Sequence, residues 1–144
     1  MNANVKAPTK LSEAIHMALA DQETVEKIPG AVIDMDDWHV TRMGISVDGE
    51  RVMHCHMCFA GAVMHCRFDL GLKYHRMDDF PEEWVSVFHA LDEVRQGYVN
   101  TALTYFGHET EKFKDFSVTN YSMDREGFRK QMLEVATMLE EKGL

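Results

Sequence analysis

Fourteen consecutive residues, Met53 to Cys66, contain all three cysteines of the chain, Cys55, Cys58 and Cys66, and three of its eight histidines, His54, His56 and His65. Thiolates and imidazoles are the ligands zinc prefers, and they are also the nucleophile and base of thiol enzymes, so metal binding or covalent chemistry would reside here. Cys55-x-x-Cys58 has the spacing of half a zinc site. His65, Cys66, His75 or a distant His39 would have to supply the rest, because alternation along a strand sets His54 and His56 on the opposite face from Cys55. Tetrahedral zinc brings its ligand atoms within roughly 4 Å of one another. In a helix from Cys58 to Cys66, Cys58 and His65 are separated by roughly 10 Å along the axis, so a helix and a site joining those two exclude each other. The runner-up metal set is therefore Cys55, Cys58 and His75.

For thiol catalysis Cys58 is best placed, since a helix N-terminus lowers a thiol pKa. Its neighbours Phe59 and Ala60 read as core, however, and a buried free cysteine behaves as a small hydrophobe. No Cys/His or Ser/His/Asp family signature surrounds it. The favoured expectation is packed thiols, with no catalytic residue, no metal and no cofactor.

The elements that would position this segment are legible from periodicity. Residues 1–8 carry no pattern and read as a disordered arm ahead of one domain over 9–144. Thr9 is placed to cap a helix with apolar positions at Leu11, Ile15, Ala18, Leu19 and Val25, stopped by Pro29-Gly30. Val32 and Ile33 suit a short strand. Ile45, Val47 and Val52 around Asp48-Gly49 predict an antiparallel hairpin, since that dipeptide takes positive φ readily. From Cys58 to about Phe68 small residues alternate with large apolar ones, which predicts a short helix covered on nearly every side. Pro81, Glu82 and Glu83 open a third helix with an apolar stripe from Trp84 to Tyr105 and a weak point at Gly97. Residues 107–121 read as a loop pinned by Phe113 and Phe116. The last helix is expected from near Ser122, with Phe128, Met132, Val135 and Leu139 inward. The expected fold class is α+β: a mainly α-helical single domain with about four helices and a small antiparallel β-hairpin.

At 144 residues the chain suits one domain. Its net charge of -9, from 24 acidic against 15 basic residues, disfavours direct nucleic-acid binding, which needs a basic face. No apolar run reaches the roughly 18 residues of a membrane span. An odd number of cysteines and no apolar leader at the start point to a reducing, cytoplasmic setting.

The acidic residues have two readings. Asp34, Asp36 and Asp37 form one turn, and Asp78, Asp79, Glu82 and Glu83 a second group. Both are candidate faces for a basic partner, against the default readings of a solvated acidic turn for the first and of helix capping for the second. The first lacks the glycine and terminal glutamate of a calcium hand.

The run Cys55-His56-Met57-Cys58-Phe59-Ala60-Gly61-Ala62-Val63-Met64 resembles a Cys-x-x-Cys-Leu-Ala-Gly-Ala-Val-Met motif of small uncharacterised proteins of tailed bacteriophages. The similarity extends to a tryptophan element over Asp36 to Trp38 and to Leu91-Asp92-Glu93-Val94-Arg95-Gln96-Gly97. It departs at Phe59, and His54, His56 and His65 lie outside the motif. The resemblance carries no chemistry; it implies a phage protein that binds and redirects a host protein, in the bacterial cytoplasm, with the acidic groups as candidate contacts. The alternatives are a zinc- or thiol-dependent enzyme centred on Cys55, Cys58 and a histidine, or a structural subunit of an oligomer.

Overall fold

The reversal at Cys58, where an extended strand turns into a helix, organises the rest of the chain. The computed structural model describes residues 6–34, 38–45, 47–68, 76–111, 113 and 125–144. Among them the order is α1 (Leu11–Val25), β1 (Ala31–Ile33), β2 (His39–Ile45), β3 (Arg51–Met57), α2 (Phe59–Arg67), a single 3-10 turn (Met77–Asp79), α3 (Glu82–Arg95), α4 (Val99–Thr104) and α5 (Arg125–Glu141). The fold is a single α+β domain, as its periodicities imply. No helix among the described residues is long and apolar enough to cross a membrane.

Two features differ from the expected hairpin plus four helices. The strands form a mixed three-stranded sheet of order β1-β3-β2, in which β3 pairs antiparallel with β2 and parallel with β1. A three-residue strand with no alternation of its own is drawn in because β3 would otherwise leave one row of backbone groups unpaired. The hairpin connection, residues 46–50, is longer than a two-residue turn, with Gly49 at φ 80°.

The long third helix is cut in two. Gly97 takes φ 94°, its N–H donates to the Val94 carbonyl at 2.9 Å, and the Tyr98 N–H donates to Glu93 at 2.9 Å. That pair of bonds is a Schellman cap, which needs a left-handed residue and finds glycine there. The turn takes Tyr98 and Tyr105 out of the expected stripe and leaves them exposed, Tyr105 stacked on His89.

At the other end of the chain Lys10, rather than Thr9, is the residue before α1, and it makes no side-chain cap. Thr9 instead donates its N–H to Glu13 at 3.3 Å. Residues 1–5 of the expected arm, Phe116 and the expected start of the last helix at Ser122 lie outside the described residues.

Helix α2 is central, as its small residues foretell. It packs on α1, α3 and β3, and every residue from Phe59 to His65 is buried. Its start is fixed by Cys58, whose Sγ accepts the Gly61 N–H at 3.5 Å. Around its end Phe68, Phe80, Trp84 and Phe88 form an edge-to-face aromatic cluster, which Trp38 joins through Phe88. Large aromatic rings in such contact contribute about 0.5–1.5 kcal/mol per pair beyond their area burial.

Candidate metal centre

Strand β3 alternates along its length, so Cys55 and Met57 are fully buried beneath α2 while His54 and His56 are half-buried on the other face. His56 there meets Asp34, Nδ1 to Oδ2 at 3.2 Å. The register of the hairpin places His39 opposite Met57 and Thr41 opposite Cys55. His39 is therefore a diagonal neighbour of Cys55 on the buried face, within reach of a ring. From above, α2 lowers His65 onto the same spot. Gly61 is what lets it come so close: the Trp38 carbonyl packs where a Cβ at Gly61 would stand. Gly61 and His65 lie one turn apart on one side of the helix, so the contact that seats Trp38 seats the next residue, His39, on His65.

The result is a buried triangle of donor atoms. His39 Nε2 lies 3.1 Å from His65 Nδ1, and the two rings stack with centroids 5.4 Å apart. Cys55 Sγ lies 3.4 Å from His39 Nε2 and 3.6 Å from its Nδ1. One atom from each of His39, Cys55 and His65 falls within 4.8 Å of the other two. Zinc bonds of about 2.0 Å to nitrogen and 2.3 Å to sulfur would set tetrahedral edges near 3.3 Å for N to N and 3.5 Å for N to S, close to the two separations that His39 makes, while the edge from Cys55 to His65 lies within 4.8 Å. The sulfur thus stands almost equally far from both nitrogens of His39. Without an ion the two imidazole nitrogens share one N–H as donor and acceptor.

Burial pushes the Cys55 thiol up to about 11. A neutral buried thiol is a poor nucleophile, and a cation is what would make its thiolate stable in this place. Cys66 is half-buried, raised to about 11 by burial and then by Asp21, and its Sγ points to the Asp21 carbonyl at 3.7 Å.

Of the runner-up set, only Cys55 is in the triangle. Cys58 faces the main core as the cap of α2, raised to about 11 chiefly by burial, and His75 lies outside the described residues. The helix does keep Cys58 and His65 apart, but Cys55 rather than Cys58 is the thiol that meets His65. The sequence held no signal for His39: a two-residue turn at Asp48-Gly49 would pair position 39 with 58, whereas the longer connection pairs it with 57, on the face of Cys55.

The acidic candidates divide. Asp34 extends the parallel pairing, its N–H donating to Met57 at 2.9 Å, and Asp36 and Asp37 lie outside the described residues. Asp78, Asp79, Glu82 and Glu83 are exposed at the junction of the 3-10 turn and α3; the Asp79 carboxylate accepts the Arg76 N–H at 3.0 Å, a capping role. Comparison with protein-family models, with curated proteins and with solved structures finds no match to this chain.

Proposed function

We propose that this chain is a metal-binding domain in which His39, Cys55 and His65 hold one transition-metal ion where the β2–β3 hairpin meets α2. The observation that carries it is the convergence of three buried ligand atoms from three separate elements. One ion would take a lone pair from each of the two imidazoles and from the thiolate at once. The set has the chemistry of borderline-to-soft cations, zinc or copper, rather than of calcium or magnesium, which take oxygen. Elemental analysis of the purified chain tests it: about one ion per chain is expected, lost in Cys55→Ser and His65→Ala. A folded, metal-free chain that takes up none from millimolar zinc or copper would reject it.

A second reading is favoured by the free end of the hairpin. Met43, Ile45 and Met53 share a face with Cys55 but extend past α2, where they are 59%, 76% and 45% exposed. Exposed apolar side chains gathered at the end of a hairpin suit a protein partner, and the resemblance to phage proteins makes a bacterial host protein the candidate. The acidic residues at the start of α3 are a second possible contact. A pull-down from host lysate that returns the same proteins with wild type and with Met43→Lys/Ile45→Lys would remove the hairpin from that role.

A further inference from the structure

Met57 is the residue of this region that metal chemistry and packing claim together. It is fully buried, follows Cys55 by two positions on the same face of β3, and is the direct cross-strand partner of His39. It belongs to the same small apolar cluster as Cys55, with Val25 and Ala62. Its Cβ lies 3.0 Å from where a Cβ of Gly61 would be, so its side chain starts in the gap between β3 and the side of α2 that carries His65 one turn on. Directly opposed residues in an antiparallel pair stand about 4.5–5.5 Å apart at Cβ, and a thioether on three rotatable bonds spans that distance.

Resting on the metal-binding reading above, we infer that Met57 supplies a weak fourth donor, so that two imidazoles, one thiolate and one thioether select copper over zinc. Zinc completes a tetrahedron with nitrogen, thiolate or oxygen, and a thioether is too soft to compete for that corner. Copper accepts the same three strong donors in a plane with a long axial sulfur, and in its reduced state has high affinity for soft donors in an apolar surround. The burial of His39 and Cys55, both 0% exposed, supplies that surround.

The test uses the full chain stripped of metal and reloaded separately with copper and with zinc. X-ray absorption at the copper edge of the unmodified protein is expected to show one short and one longer copper–sulfur distance. Met57→Leu, which keeps the apolar volume, should lose the longer distance and shift the Cu(II)/Cu(I) potential, while still binding one copper and leaving zinc affinity unchanged. A single sulfur in the unmodified copper protein overturns the inference, as does a Met57→Leu protein with unaltered copper spectrum and potential. So does a parallel loss of zinc and copper, which would place Met57 in packing alone. Those results leave the metal-binding reading standing; a chain that takes up neither metal sinks both.

Discussion

The carbonyl of Trp38 rests against the backbone of Gly61, in the space any larger residue would fill with its Cβ. That contact sets the distance between the sheet and α2, and hence whether His39 and His65 meet. Alanine at position 61 would have to displace the backbone just ahead of β2 rather than the end of a flexible side chain. Gly61→Ala should therefore cost about 1–3 kcal/mol, as overpacking does, and should weaken metal uptake even though residue 61 is not a ligand. Thermal unfolding and metal stoichiometry on the same sample check both parts.

Replacing the donors one at a time distinguishes ligands from neighbours. His39→Ala, Cys55→Ser and His65→Ala are each expected to abolish stoichiometric metal, whereas Cys58→Ser keeps it, because serine still caps α2 and Cys58 Sγ faces away. In the wild type, a free ion at a hundred times its dissociation constant adds about 2.7 kcal/mol, which a chelator removes. Melting curves with and without chelator should converge for the three ligand variants and differ for Cys58→Ser.

Asp21 on α1 and Arg67 at the end of α2 form a two-pronged ion pair, both contacts at 3.0 Å. Burial raises the Asp21 carboxyl from 3.8 to about 6, against the pull of Arg67. The unfolded chain thus gives up this proton at lower pH than the folded chain, so stability from this group is complete below about pH 4 and declines as pH rises to about 6. Asp21→Asn has no such slope. Its penalty relative to wild type should be largest near pH 4 and shrink by up to about 3 kcal/mol by pH 7, at about 1.4 kcal/mol per pH unit. Urea denaturation of both metal-free proteins across that range measures it; a penalty that grows toward neutral pH would reverse the assignment.

Gly97 holds the break between α3 and α4 in a left-handed conformation. Gly97→Ala should cost about 1 kcal/mol in unfolding free energy. An unchanged denaturation midpoint would mean that the cap relaxes without loss.

Periodicity made the helices legible, because Leu11, Ile15, Trp84, Val87, Phe88, Met132, Val135 and Leu139 recur at helical spacing and are all buried. Met138, on the same helix as Leu139 but off that stripe, is 38% exposed. Cys55 and its alternation with His54 and His56 could be read in advance, since a strand's two faces follow from its period. His39 and His65 as its partners could not. Their meeting depends on the hairpin register over a five-residue connection and on the approach of Trp38 to Gly61, and both are long-range geometry with no local pattern. The parallel pairing of β1 was hidden for the same reason: three residues carry no period, and the demand for them comes from β3.

Among the described residues the order β1-β3-β2 puts His39 on an outer strand, while Cys55 sits on the middle strand and His65 on the central helix. Peeling that outer strand uncovers the other two donors without disturbing the pairing of β1 with β3. An ion held there as proposed would come and go only as β2 opens, giving slow capture and equally slow surrender.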